Sequence, residues 1–361
     1  MNDKKPVNLV TDQPSHTGIG EYALNLKSLL DSHSVTNKLI YLGFRKQKSL
    51  GVEHDDRLRY AETSMSVPLA YAHNKAYVRK SELLCDSWIH FLGASYNWCW
   101  SNSKVLATVH DVYFTLPRFS DAHFLRSAST QVMRDYVLWD SLRYLRRADH
   151  LVTISNVSRK ELFRWTGRDS DVIHHWIDER RFHPRDKYIT RRQLGLPESS
   201  KVILNVSGHG PNKGLGLLRE VANSLDKDSV LVKIGAAISG EKVQNIREVP
   251  DELYPLYFNA ADVYLDTSSR EGFGRPLIES MGSRLPVISR RKDISIELLG
   301  NAGVYFGPNE CVRDILGLFS ILDSREEKEE YGSRLSERSS LFSAETSFQK
   351  YFEVYKKTFG T

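Results

Sequence analysis

Two glutamates eight positions apart, Glu271 and Glu279, lie in the run Ser269–Ser283, SREGFGRPLIESMGS. Between them, Gly272 and Gly274 let backbone N–H groups come close to a ligand. Pro276 suits the start of a helix. A helix starting there turns its free N–H groups and the positive end of its dipole toward the loop, which favours phosphate. The two carboxylates accept hydrogen bonds from sugar or ribose hydroxyls. Phosphate donors beside hydroxyl acceptors are what a nucleoside diphosphate sugar requires. Taken alone, a glycine-rich loop before a helix is also compatible with a plain tight turn, so the surrounding elements matter.

Those elements alternate. Pro6–Val10 reads as a strand, followed by a loop Thr11–Gly20 that holds Gly18 and Gly20. Next comes a helix with Tyr22, Ala23, Leu26, Leu29 and Leu30 on one face. Further strands are expected at Lys38–Leu42, Trp88–Leu92, Val105–Val109 and Leu151–Ile154, with a long helix at about Ser127–Arg147. The same opening recurs: a strand Lys201–Val206, a glycine-rich loop Ser207–Gly214 (SGHGPNKG) and a helix Leu215–Leu225. Strands at Val230–Ile234, Val263–Asp266 and Pro286–Ser289 follow. Strand–helix alternation of this kind builds mostly parallel sheets. The fold class is therefore α/β with two Rossmann-like domains, at 1–178 and 186–344, and the charged, proline-containing stretch Asp178–Pro197 is expected to link them. The C-terminal helix 345–361, with Phe348, Tyr351, Phe352 and Tyr355 on one face, either caps the second domain or returns to the first.

Composition narrows the function. The chain has 361 residues, a length for two domains rather than one. Its net charge is +5, with roughly +4 in the first 180 residues and about +1 in the rest. This mild excess fits an anionic substrate or a membrane surface and is too small to indicate nucleic acid. Cys85, Cys99 and Cys311 are scattered and lack metal-ligand spacing, which fits reduced thiols in the cytoplasm. No apolar leader or membrane-spanning run is visible. Asp169-Ser170-Asp171 imitates a metal-binding DxD but lies in a polar turn far from the glycine loops, so no metal is expected. His174 and His175 are neighbours on an extended segment and face opposite ways, so they do not form a metal pair.

The run from Glu271 to Glu279 resembles the E-x7-E motif of retaining GT-B glycosyltransferases, family 4. Other segments fall in the order of that family: Thr17-Gly18-Ile19-Gly20-Glu21-Tyr22 resembles its first glycine loop, and Val109-His110-Asp111-Val112 its first-domain histidine turn. Ala148–Leu162 and Tyr257–Asp266 resemble further family segments, so the likeness covers nearly the whole chain. The resemblance implies two domains facing across a cleft that binds the donor. It implies that Glu271 contacts the donor sugar, beside the backbone of Gly272, Phe273 and Gly274, and that Glu279 holds the ribose. Lys213 would neutralise the diphosphate, Gly18 and Gly20 would close over the phosphates or acceptor, and His110 would sit near the transferring sugar.

One departure stands out. The family's usual arginine falls on Gly208 here, with Arg275 a candidate replacement. The resemblance further implies a metal-independent retaining transfer needing no cofactor, from a UDP- or GDP-sugar to a glycan, glycolipid or other hydroxyl acceptor. That activity belongs to polysaccharide or glycolipid biosynthesis in the cytoplasm. For the acceptor, the first domain is expected to serve, with the aromatic-rich stretch Ser66–Trp100 and Lys75, Arg79 and Lys80 making weak peripheral membrane contact. Two other readings stay open on the same fold: a nucleotide-sugar epimerase, which needs no acceptor, and a non-catalytic sugar-binding protein.

Overall fold

A computed structural model describes residues 6–11, 17–41, 52–53, 88–92, 104–110, 139, 141–309, 311–322 and 324–360. The chain divides into two units, Met1–His174 with Ser347–Thr361, and His175–Thr346.

The first unit contains β1 (Val7–Thr11), α1 (Gly18–Ser32), β2 (Asn37–Tyr41), β3 (Val52–Glu53), β4 (Trp88–Phe91), β5 (Val105–Val109), β6 (His150–Thr153), α2 (Asn156–Thr166) and β7 (Asp171–Val172). Its strands form one sheet in the order β3-β2-β1-β4-β5-β6-β7, with every pairing parallel. β1 and β5 are buried along their whole length, as strands covered on both faces must be. Most of the long helix expected at Ser127–Arg147 and most of Ser66–Trp100 lie outside the described residues.

Gly18 and Gly20 sit in the first turn of α1, not in the loop before it. The cause is the Thr17 side chain, which caps the helix by accepting from the Gly20 N–H at 3.1 Å. This cap satisfies one of the unpaired donors of the first turn and offsets the poor helix propensity of the two glycines.

The second unit contains α3 (Lys187–Leu194), β8 (Lys201–Ser207), α4 (Leu215–Asn223), β9 (Ser229–Gly235), β10 (Val243–Ile246), α5 (Tyr254–Ala260), β11 (Val263–Asp266), α6 (Arg275–Gly282), β12 (Val287–Arg290), α7 (Asp293–Leu299), β13 (Val304–Phe306), α8 (Val312–Leu318) and α9 (Arg325–Ser339). Its sheet runs β10-β9-β8-β11-β12-β13, again all parallel. Ile203, Leu231, Val263, Leu265 and Ile288 from the strands pack against Leu218, Val221 and Ala222 of α4 and Ile315 of α8. In both sheets the strand order reverses beside the first strand of the unit, between β1 and β4 and between β8 and β11. Ligands of open α/β sheets bind at the carboxyl ends of the strands flanking such a reversal.

The stretch Asp178–Pro197 is not a free linker, because it forms α3 and packs within the second unit. Arg191 is only 3% exposed. Its guanidinium donates to the carbonyls of Ala260, Glu198 and Ser200 and pairs with Asp262 at 2.6 Å. Lys187 pairs with the other Asp262 oxygen at 2.7 Å. Burial alone would raise the Asp262 carboxyl, but the two cations and the Val202 N–H outweigh it and hold it below its ordinary value. The charge of this stretch therefore fixes it to residues far along the chain.

After α9 the chain enters α10 (Ala344–Phe359), whose residues from Ser347 onward belong to the first unit. The Tyr351 hydroxyl shares hydrogen bonds with Tyr22 and, at 3.4 Å, with Thr108. Tyr355 meets His90 at 2.8 Å, and His90 meets Thr108 at 2.7 Å. Phe359 stacks on Trp88 with ring centroids 4.9 Å apart.

Candidate active site

Two loops dominate the second unit. The first leaves β8 at Ser207, forms one 3-10 turn at Pro211–Lys213 and enters α4 through Gly214. The second leaves β11 at Asp266 and enters α6 through Gly274, whose φ of 95° favours glycine. They emerge from neighbouring strands at the strand-order reversal, and hydrogen bonds stitch them together. Ser269 donates its N–H to the Asn212 carbonyl at 2.7 Å, the Asn212 amide donates to the Arg270 carbonyl at 2.9 Å, and the Thr267 hydroxyl donates to the Lys213 carbonyl at 3.0 Å. The base of the second loop is fixed by Asp266, which accepts from Ser289 at 2.8 Å and from the Ser268 N–H at 3.0 Å and pairs with Lys292.

This stitching brings Lys213 and Glu271 together across 58 positions of sequence. The Lys213 ammonium donates to both Glu271 carboxylate oxygens, at 2.7 and 2.9 Å. Both side chains remain partly exposed. Glu279 lies one element further on, inside α6, and is 4% exposed. It accepts from the Tyr254 hydroxyl at 2.8 Å and pairs with Arg275 at 3.1 Å. Burial and the Glu279 charge push the Tyr254 phenol well above its ordinary range, so it stays a donor at any physiological pH. Arg275 thus reaches Glu279 in this structure. Gly208 is exposed, with open space where a side chain would begin.

Phe273 is buried and stacks on His175, ring centroids 4.7 Å apart, with Phe342 edge-on. Its ring belongs to the core, and the glycines on either side leave the loop backbone to meet a ligand. Asp169 is held by Arg159 through two bonds of 2.6 Å, and Asp171 accepts from His150 at 2.6 Å, so the DxD-like pair is engaged by basic side chains.

His110, Gly18 and Gly20 belong to the first unit. His110 ends β5, is 3% exposed, and meets the Tyr22 ring edge-to-face at 4.7 Å. Its carbonyl accepts from the Ser158 hydroxyl at 3.1 Å. Burial lowers the imidazole to about 3, leaving it neutral at physiological pH with one nitrogen able to donate and the other to accept.

Tyr254 belongs to no motif of the sequence, yet it holds Glu279. Its position just before Pro255, at the start of a helix otherwise made of buried residues, was the available signal. A consequence concerns Glu279. Glu279→Gln keeps the shape and one acceptor but removes the charge, and the affinity for a nucleoside diphosphate is expected to fall by about 1.5–3 kcal/mol. Glu279→Ala would also strand Arg275 and Tyr254 and lower stability, so the glutamine variant isolates binding. Calorimetry with the bound nucleotide checks this, and an unchanged affinity removes Glu279 from the site.

The family model for glycosyl transferases group 1 matches residues 186–334, the span that carries both loops. The O-antigen chain mannosyltransferase B of Escherichia coli is 24% identical over 340 residues, 81% of this chain and 84% of that protein. The sulfoquinovosyl transferase SQD2 of Arabidopsis thaliana is 26% identical over 227 residues, 57% of this chain and 44% of that longer relative, so less than half of its length is matched. Among solved structures, the sucrose-phosphate synthase of Thermosynechococcus elongatus superposes with a TM-score of 0.76 at 18% identity, covering 99% of this chain and 100% of that one. The Anabaena protein HepE, solved with UDP-glucose, superposes with a TM-score of 0.73 at 18% identity over 97% and 99% of the two chains. The second unit thus carries the match to the glycosyl transferases group 1 model, and the fold across the two units is the GT-B fold of solved glycosyltransferases.

Proposed function

We propose that the enzyme moves a sugar from a nucleoside diphosphate donor to a hydroxyl acceptor with retention of anomeric configuration and without a metal. The observation that carries this reading is the stitched pair of loops at the strand-order reversal of the second unit, which presents Lys213, Glu271 and the start of α6 together. Lys213 neutralises the diphosphate as a point charge, the role to which a lysine is suited. Glu271 accepts from donor-sugar hydroxyls, and Glu279, held by Tyr254 and Arg275, accepts from the ribose. In the reaction the acceptor oxygen bonds to the anomeric carbon as the bond to the diphosphate breaks on the same face. The acceptor proton passes to the leaving phosphate oxygen. The protein positions the substrates and stabilises charge developing on the diphosphate. Neutral His110 hydrogen-bonds the transferring sugar.

UDP-glucose in the related HepE structure supports a nucleotide-sugar donor, and UDP or GDP is the carrier proposed here. The acceptor is a glycan or glycolipid, handled by the first unit in the cytoplasm. The basic excess of the first 180 residues supports weak, salt-sensitive contact with anionic membranes. Among the described residues no helix is long and apolar enough to cross a membrane.

A thermal-shift screen with UDP, GDP, ADP and their sugars identifies the donor. Product NMR with candidate acceptors then reads the anomeric configuration. Inverted product overturns retention, and donor consumption equal with and without acceptor favours an epimerase or hydrolase. Co-sedimentation with anionic vesicles at low and high salt tests the membrane contact, and a protein that stays in the supernatant at low salt points to a soluble acceptor.

A further inference from the structure

Lys233 lies in β9, next to β8, and is fully buried. Its ammonium donates to two backbone carbonyls, Ser207 at 2.7 Å and Ile234 at 2.8 Å. Among the described residues no carboxylate pairs with it. The residues in register on either side are Asn205 of β8 and Asn245 of β10, both uncharged. Asn205 is bonded to the Leu265 carbonyl and the Ser207 hydroxyl, and Asn245 to the backbone of Ile238. The charged group that faces Lys233 electrostatically is Lys213, of the same sign.

Burying a charge without a counter-charge is costly, and an aliphatic residue would suit the middle of an apolar strand better. A buried cation without a counter-charge is a candidate for a functional site, and an anion is the ligand that would complete it. Ser207, which Lys233 holds, is the last residue of β8 and the root of the loop that ends in Lys213. We infer that Lys233 is a second, buried cation of the donor site: it anchors the root of the 208–214 loop through the Ser207 carbonyl, and its charge adds to that of Lys213 in drawing the donor diphosphate. This rests on the reading of that loop as the diphosphate site. Lys233 does not touch the ligand in this role, and it is a positioning and electrostatic residue.

The inference has a signature that a merely structural lysine lacks. Burial, with Lys213 adding to it, lowers the Lys233 ammonium to about 8. A bound diphosphate favours the charged form and raises that value. Binding is then strongest below pH 8, takes up a proton above it, and weakens as pH rises further. Between pH 7 and pH 9 the affinity for UDP, or for GDP if the donor screen selects it, is expected to fall roughly tenfold. Lys233→Met, similar in length but neutral, should bind the diphosphate about tenfold more weakly at pH 7. It should lose the pH dependence and bind the bare nucleoside as the wild type does. Lys233→Arg should retain affinity at pH 7 and stay flat to pH 9, because its charge does not titrate there.

Equal weakening toward nucleoside and diphosphate, or a Lys233→Met profile matching the wild type, overturns the inference. If Lys233→Met does not fold, calorimetry of the wild type at pH 8.5 in two buffers of different ionisation enthalpy decides, since absence of proton uptake on binding UDP or GDP rules it out. A wild type that binds no nucleoside diphosphate overturns the donor-site reading itself, and with it the inference, before any variant is made.

Discussion

Gly214→Ala is expected to cost roughly 2–4 kcal/mol of stability and to abolish nucleotide binding. Gly214 has a φ of 62°, in the left-handed region. Any other residue pays about 1–2 kcal/mol there. A Cβ at this position would also lie 2.2 Å from the Thr267 carbonyl oxygen, a backbone atom with little room to retreat. Relieving the clash pushes apart the two loops that hold Lys213 and Glu271 and breaks the Thr267–Lys213 hydrogen bond. Chemical denaturation reads the stability, and calorimetry with the donor nucleotide reads the binding. Gly216→Ala is the control: it lies two residues on, inside α4, with open space where its Cβ would stand. That change should leave stability level or raise it by up to about 1 kcal/mol, because alanine is the better helix former. If the two variants behave alike, the close approach at Gly214 is not what holds the loops together.

Lys213→Ala should lower turnover by about 10²–10³-fold with little loss of stability. The stability effect is small because Lys213 and Glu271 are both partly solvent-exposed, and such a pair contributes little to folding. The catalytic effect is large for two reasons. On the proposed donor site the leaving diphosphate loses the cation of Lys213, and Glu271, relieved of its partner, adds an uncompensated negative charge. Gly208→Arg, at an exposed position with space for a side chain, should recover part of the lost activity. Steady-state kinetics on purified Lys213→Ala checks the prediction, and normal turnover would assign the role to another cation.

Much of the fold was legible because it is local. β5 and β11 occupy the spans read from their apolar runs, Val105–Val109 and Val263–Asp266, and β1, β2, β4, β6, β8, β9 and β12 begin and end within one residue of expectation, whereas the short strands β3, β7, β10 and β13 carry no apolar run long enough to announce them. Buried parallel strands announce themselves by such runs between turn residues. Two glycines at 18 and 20 point to a loop, because glycine usually breaks helices, whereas the Thr17 cap decides the matter through one side-chain bond. Asp178–Pro197 looked like a linker because its charges look solvated. Their partners, Asp251 for Arg181 and Asp262 for Arg191, lie about 70 positions away and leave no local pattern.

The candidate site follows the same rule. The two glutamates and the glycines stand out by spacing and Lys213 by the family resemblance, but the Lys213–Glu271 pair and the Tyr254 bond to Glu279 are products of the sheet topology. Lys233 had a signal of its own, a lone charge in the apolar run SVLVKIG, which is what a strand read only for its hydrophobicity conceals.

The course of α10 bears on how the chain acquires its structure as it leaves the ribosome. The second unit is one uninterrupted stretch and has all its residues once Thr346 has emerged. The first unit emerges earlier yet must wait, because Tyr351, Tyr355 and Phe359, the partners of Tyr22, His90 and Trp88, are made only after the second unit is complete. Until then the hydroxyl chain around Thr108 and the apolar face that receives α10 stay uncovered. The part synthesised first is therefore the part finished last. A stop codon directly after Thr346 would spare the second unit and leave the first with an open flank that invites aggregation or chaperone capture.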